Sequence, residues 1–213
     1  FVLDAACDFL PSPLDVPDVS GEVPRTGEVA TRAPDPAAPV SLLAFKTIAE
    51  PTGDLTFVRV YSGTLEKGAK LLNPRTGKPE RIGRLVRIHA NKREAVEAIG
   101  PGDIAAVMGL KNTATGDTLC DSAEPIILET MNFPEPVLSM SIEPMTSEDK
   151  NKLSEALVAI RREDPSFHSM FNEETGETII AGMGELHLEI IVDRLKREFG
   201  VEANIGRPQV AYR

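Results

Sequence analysis

Long apolar runs, paired cysteines and clustered histidines are all missing from this sequence of 213 residues. No apolar stretch approaches the ~20 residues that a membrane-spanning helix needs, which excludes a span of that kind. Cys7 and Cys120 lie far apart and outside any C-x-x-C spacing, so we interpret them as small buried or incidental residues. With three histidines in all, the chain cannot build a histidine-rich metal centre.

Motifs for catalysis are missing too. The phosphate-cradling sequence G-x-x-x-x-G-K-[ST] does not occur, so no loop for GTP hydrolysis is predicted within this chain. Gly182-Met183-Gly184 lacks the third glycine of a dinucleotide fingerprint, and no G-x-S-x-G marks a serine nucleophile. His187-Leu188-Glu189 is half of a zinc-deaminase signature whose cysteine half is absent. The residues alone therefore indicate a binding or scaffolding protein with no catalytic residues and no metal.

A targeting signal is also missing. The chain starts Phe1-Val2-Leu3-Asp4, without an initiator Met and without the basic and apolar segments of a signal peptide. We expect it to be part of a longer protein. Because neither an export signal nor a disulfide framework is found, the predicted location is cytoplasmic.

Basic charge is scarce overall, since 33 acidic residues outweigh 23 basic ones and give a net charge of -10. Residues 59–93 reverse this balance, with ten basic residues against two acidic ones, a net +8. Such a run often forms only a solvated strand face, but contact with phosphate groups requires the same one-sided charge. The candidate phosphate-contacting residues are Arg59, Arg75, Lys78, Arg81, Arg84, Arg87, Lys92 and Arg93.

Proline and glycine divide the first half of the chain. Residues 11–39 are dense in proline, which disfavours a continuous helix or a central strand, and we interpret them as a linker after a short helix at residues 1–9. The residues after this linker predict short strands without intervening helices. Such a series is typical of a small β-barrel or a β-sandwich, and the periodicity of the strands does not choose between the two. The predicted strands are Val40–Ile48, Leu55–Tyr61, Ala69–Leu72, Arg81–His89 and Ile104–Leu110.

After Pro136 strands and helices alternate. Thr146 is predicted to cap a helix whose apolar residues repeat as far as Ile160, and a second apolar stripe runs from Leu188 to Phe199 and ends at Gly200. The predicted strands are Val137–Glu143, Phe167–Phe171, Glu177–Ala181 and Val201–Ile205. This β-α-β-β-α-β order predicts a ferredoxin-like sandwich, so the fold class of the whole chain is mixed β and α+β.

The segment Gly182–Lys196 closely resembles the third domain of elongation factor G, a bacterial translation GTPase, as do Glu163–Phe167 and Glu174–Gly176. Arg59–Gly63 and His89–Glu94 resemble its second domain, a small β-barrel of the translation-factor type. Asp4–Pro13 resembles the closing helix of its GTPase domain, and Pro208–Arg213 the start of its fourth domain. The resemblance implies three parts: the end of a GTPase domain with a linker at 1–27, domain II at 28–131, and domain III with the start of domain IV at 132–213.

The family resemblance also implies a function. Elongation factor G is a ribosome-dependent GTPase that promotes movement of tRNA and mRNA. Its domain II contacts the small ribosomal subunit, RNA and protein, and its domain III relays the GTPase state towards domains IV and V. GTP and Mg would bind in the GTPase domain of the longer protein, with no cofactor in this chain and no membrane or DNA partner. Matching motifs give candidates facing the GTPase domain and the fusidic acid pocket: Asp164, Ser166, Leu186 and His187.

Two departures from the family pattern keep other functions open. Ser166 stands where Thr is usual, and the turn at residues 50–55 is short and carries Asp54 where a basic residue is common. A divergent paralogue, or a related GTPase for ribosome recycling or ribosome protection, is therefore an alternative to the translocation factor. A third possibility is a free-standing small-molecule enzyme on the ferredoxin-like domain, which would require a cluster of convergent polar residues with a nucleophile or a metal.

Overall fold

The computed structural model describes residues 1–50, 53–90, 92–128 and 134–208. The chain divides into two compact units, residues 1–131 and residues 132–213, which are described separately. The first unit contains one short helix and twelve strands within its described residues. They are α1 (Val2–Phe9), β1 (Val19–Glu22), β2 (Val29–Arg32), β3 (Ser41–Ile48), β4 (Leu55–Ser62), β5 (Leu65–Glu66), β6 (Lys70–Asn73), β7 (Lys78–Arg81), β8 (Arg84–His89), β9 (Lys92–Val96), β10 (Ala98–Ile99), β11 (Ile104–Met108) and β12 (Thr118–Cys120).

Eight of these strands form one antiparallel sheet that closes around a single core. Their order is β7-β6-β12-β3-β4-β11-β8-β9, and the short strands β5 and β10 pair with each other. Leu71 near one end of the sheet and Leu85 near the other belong to the same buried cluster, together with Val58 and Leu119. Because side chains from both ends of the sheet meet in one interior, the arrangement is a barrel, which decides between the two architectures that the sequence left open.

The strand predicted at Arg81–His89 is interrupted at Ile82 and Gly83. The cause is a close backbone approach, since a Cβ built on Gly83 would lie 2.3 Å from the carbonyl oxygen of Met108. Glycine is therefore the residue that fits where β7 turns into β8.

The proline-rich segment interpreted as a linker contains a two-stranded hairpin of β1 and β2. It lies outside the main sheet, in agreement with the exclusion of a central strand there. Val19 and Ala30 of the hairpin pack on a small buried cluster formed by Cys120, Ile126 and Leu128. The hairpin thereby covers part of the outer surface of the barrel.

The second unit has the order β13 (Leu138–Pro144), α2 (Ser147–Glu163), β14 (His168–Asn172), β15 (Glu177–Gly182), α3 (Glu185–Arg197) and β16 (Ala203–Gly206). Its sheet order is β14-β15-β13-β16, with every neighbouring pair antiparallel. The predicted ferredoxin-like sandwich is confirmed. The predicted break at residues 132–136 lies partly outside the described residues, as does most of the segment Pro208–Arg213.

Helix α2 begins where its capping residue predicts. The Oγ1 of Thr146 accepts a hydrogen bond of 3.1 Å from the backbone N–H of Asp149, which confirms Thr146 as the N-cap. Leu153, Leu157 and Ile160 of α2 pack against Leu188 and other apolar residues of α3 in one buried cluster. Helix α3 begins at Glu185, three residues before the apolar stripe predicted from the sequence. Both helices therefore lie on one face of the sheet, and the loops at their ends carry the candidate site.

Candidate functional site

Three of the four candidate residues in the second unit form one hydrogen-bonded network. Asp164 is the C-cap of α2, Ser166 follows in the turn, and His187 lies in the first turn of α3. The Oδ1 of Asp164 accepts hydrogen bonds from the backbone N–H of Ser166 at 2.8 Å and from its hydroxyl at 2.6 Å. The Oδ2 of Asp164 lies 2.9 Å from the Nε2 of His187. The network thus joins the end of one helix to the start of the other.

The tautomer of His187 follows from its two partners. Its Nδ1 accepts a hydrogen bond of 3.1 Å from the backbone N–H of Met183, so the proton must be on Nε2 and is donated to Asp164. Gly182 leaves room for this ring, because a Cβ at that position would lie 2.9 Å from Nδ1. The glycine, the backbone N–H and the carboxylate together fix the orientation of the imidazole.

Leu186 is the candidate that lies outside the network. Its residue is 69% exposed, and Ile190, one turn further along α3, is 51% exposed. Residues four positions apart on a helix share one face, so the two side chains form a short apolar strip beside His187. Leu186 therefore remains a candidate for contact, on an exposed apolar strip of two side chains.

The eight basic candidates of the first unit differ in whether a carboxylate already forms an ion pair with them. Three are already paired with carboxylates: Arg75 with Asp117, Arg87 with Asp103 at 3.6 Å, and Arg93 with Glu50 at 2.6 Å. By contrast, the exposed side chains of Lys78, Arg81, Arg84 and Lys92 make no ion pair with any residue that the structure describes. Arg59 belongs to neither group, since its guanidinium lies 5.2 Å from the centre of the Tyr61 ring.

The structure does not bring the basic candidates onto one face. In the β8–β9 hairpin Arg87 lies opposite Glu94, on the side of Leu85 and the core, whereas Arg93 lies opposite Ile88 on the other side. The ion pair with Arg93 lowers the pKa of the Glu50 carboxyl, and it raises the pKa of Arg93. The eight candidates therefore do not share one strand face, and their contact with phosphate stays a prediction.

Two buried carboxylates that the sequence analysis missed anchor the loop at residues 109–117. Asp117 accepts hydrogen bonds from the side chains of Asn73 at 2.9 Å and Arg75 at 2.7 Å, and from the backbone N–H of Ala114 at 2.8 Å. Glu80 is 3% exposed and accepts from the backbone N–H groups of this loop. Apart from Ala114, three residues from Asp117, their partners lie 31 to 44 residues away in sequence, which leaves little local pattern that could have revealed them.

A cleft in the second unit lacks the side chains of a metal centre or of a histidine- or cysteine-based catalytic site. It has a volume of about 1200 Å³, lies between α2 and the sheet and is lined by Ser154, Phe171 and Ile205 among others, with no His or Cys among its described residues. The part of the chain that the structure describes contains no group of three or more His, Cys, Asp or Glu placed to hold a metal. None of its helices is long and apolar enough to cross a bilayer. Burial raises the pKa of the Cys120 thiol, which fits an unreactive buried residue.

A small β-barrel is followed on this chain by a ferredoxin-like sandwich, and each of the two units matches a domain family of translation elongation factors. Residues 133–207 match the family described as Elongation Factor G, domain III, and residues 53–120 match Elongation factor Tu domain 2. The two matched regions are a third and a second domain of translation elongation factors, and neither match is to a GTPase domain.

One similar solved structure is a protein from Thermus thermophilus, determined by crystallography. It superposes with a TM-score of 0.76 at 27% sequence identity, and the match covers 98% of this chain. The chain spans 29% of the length of that protein. The activity and partners of a complete factor are therefore matters for proposal.

Proposed function

We propose that this chain is the non-catalytic middle of a ribosome-dependent GTPase that promotes movement of tRNA and mRNA. In this proposal the barrel contacts RNA and protein of the small ribosomal subunit, and the ferredoxin-like unit faces a GTPase domain. The network of Asp164, Ser166 and His187 carries the proposal, because it orders the surface that the sequence resemblance assigns to contact with a GTPase domain. GTP and Mg would be held by that missing domain.

The network explains how a GTPase domain could act on this unit. Asp164 ends α2 and His187 begins α3, so a domain pressing on the exposed Leu186 would displace both helices together. Both helices pack on the sheet through one buried cluster, and closely packed interiors transmit displacement rather than absorb it. In this proposal the displacement would reach β16 at the C-terminal side of the unit. The same three residues, with Leu186, are the proposed contacts of fusidic acid.

The ribosomal contact is assigned to the unpaired cations of the barrel. Arg81 and Arg84 are exposed and free of carboxylate partners among the described residues, whereas Glu50 already neutralises Arg93. A cation bound to phosphate releases counterions, so each such contact adds roughly 0.7–0.9 to the salt dependence of binding. The double variant R81Q/R84Q should lower the slope of log K against log salt by about 1.4 to 1.8.

The test is co-sedimentation of the chain with isolated small ribosomal subunits over a range of potassium chloride concentrations. R93Q is the control, because it removes one positive charge from a position that already has a carboxylate partner. A flattened slope for R81Q/R84Q but not for R93Q would support the RNA contact. Equal slopes for both variants and the wild type would refute it.

A related factor for ribosome recycling or ribosome protection is the second candidate. Ser166, in place of the usual Thr, lies inside the network and removes one methyl group from the surface facing the GTPase domain. Measuring GTP turnover and tRNA movement separately distinguishes the two functions, because only a translocation factor couples them.

A further inference from the structure

We propose that the first unit has a site for a small oxyanion, a carboxylate or a phosphate, between the barrel and the segment at residues 13–19. The site is a cavity of about 160 Å³ lined by Arg32 and Arg59, the Tyr61 ring and three prolines. The prolines are Pro13, Pro17 and Pro34. This inference is independent of ribosome binding and of the proposed function.

The charges of the cavity are one-sided. Two arginines line it, and none of the described lining residues is acidic. Arg59 makes no hydrogen bond or ion pair with any described residue, and its guanidinium is balanced only by the face of Tyr61 at 5.2 Å. Arg32 has an ion pair with Glu124 at 3.5 Å, but that carboxylate is 60% exposed. A positive charge taken out of water is costly unless an acceptor or a counter-charge accompanies it.

In each of the two arginines the buried donor without a partner is the Nε–H group. Arg32 donates Nη1 to the carbonyl of Thr31 at 3.2 Å and Nη2 to the carbonyl of Glu124 at 3.0 Å, which leaves Nε–H without a partner. The Nε–H of Arg59 is likewise buried and unpaired. Nε and one Nη form the side of the fork that binds a carboxylate or phosphate through two parallel hydrogen bonds. Since both Nε atoms are buried, a small rotation of each guanidinium would accompany binding.

The size and walls of the cavity fit a small ligand. Its volume corresponds to about five water molecules at ~30 Å³ each, enough for one acetate or phosphate ion but not for a nucleotide. Pro13 closes one side by packing on Gly102, where an added Cβ would lie 2.3 Å from the Cγ of Pro13. A bound oxyanion would therefore join β2 and β4 beneath the segment that covers them.

The proposal is tested by nuclear magnetic resonance of the arginine Nε–H groups of the whole chain. The wild type is titrated with potassium phosphate and, separately, with potassium acetate, each against potassium chloride at the same ionic strength. If only phosphate shifts the Arg59 and Arg32 signals in a saturable way, the site binds phosphate. If only acetate does so, the site binds carboxylates. Shifts by both establish a general oxyanion site.

Two variants make the test specific. R59Q should weaken the response about tenfold or abolish it, because it removes the unused fork. R25Q removes the same charge from an exposed position outside the cavity and should leave the response unchanged. Shifts of the wild type that are linear in all three salts would overturn the proposal, whether or not R59Q folds. Saturable binding that R59Q retains in full would overturn the assignment to this cavity.

Discussion

The carboxylate of Asp164 offers a quantitative test of the network, through the substitution D164N. The amide can keep its oxygen towards Ser166, but its nitrogen then faces the Nε2–H of His187, so two donors meet. His187 cannot escape by moving its proton to Nδ1, because that atom accepts the N–H of Met183. One polar contact is therefore lost in every arrangement of the histidine.

The expected cost follows from what each variant leaves unpaired. D164N loses a charge-assisted hydrogen bond and leaves a half-buried donor unsatisfied, so the free energy of unfolding should fall by about 1–3 kcal/mol. S166A loses only the hydroxyl hydrogen bond of 2.6 Å and should cost about 0.5–1.5 kcal/mol. S166T keeps that hydroxyl and should be within about 0.5 kcal/mol of the wild type.

The assay is urea unfolding followed by far-UV circular dichroism. It reports mainly on the second unit, because α2 and α3 have 17 and 13 residues whereas α1 has 8. D164N should show the lowest midpoint, S166A an intermediate one and S166T the wild-type value. A midpoint for D164N equal to that of S166A would refute the argument that the proton position of His187 is fixed.

Four further substitutions provide three more tests of the structure. G182A brings a methyl group to within 2.9 Å of the His187 ring and should destabilise the second unit by about 1–3 kcal/mol, measured by the same urea unfolding. D117N should destabilise the barrel by about 2–4 kcal/mol, because the carboxylate is buried, and R75Q by about 0.5–1 kcal/mol, because the arginine is 58% exposed. Hydrogen exchange of the barrel amides measures both losses, and equal losses of protection in the two variants would contradict this. A hydrogen bond from a threonine hydroxyl lowers the pKa of Asp149, so its contribution to stability is present above the ordinary aspartate pKa and is lost as the pH falls through the lowered value. In acid titrations below pH ~4 the wild type should therefore lose more stability than D149N, and identical profiles would exclude that contribution.

The fold was largely predictable because its signals are local. The apolar period, the Thr146 cap and the glycine-bearing turns are each read within a few residues, and they placed every element of the second unit close to its observed position. The prediction was wrong where a distant contact decides the structure. The strand at 81–89 is broken because Gly83 approaches Met108 from 25 positions away, and no local pattern reports that approach.

The candidate site was predictable only in part. A family motif named Asp164, Ser166 and His187, but the hydrogen bonds between them span up to 23 residues and depend on how α2 and α3 pack. The basic segment was visible as composition, yet its division follows from strand alternation and from acids elsewhere in the chain, such as Glu50 and Asp117. Charge in sequence shows how many cations there are, and only the fold shows which ones already have a partner.

The central claim is that this chain joins a GTPase domain to the ribosome in a translocation factor. The most direct test measures ribosome-stimulated GTP turnover and tRNA movement by the longer protein that contains the chain, with the isolated chain as the inactive control. We expect turnover that depends on ribosomes and is coupled to tRNA movement, with the coupling weakened by D164N. Ribosome-stimulated turnover without tRNA movement would contradict the translocation function and favour recycling or protection, and turnover indifferent to ribosomes would contradict the account as a whole.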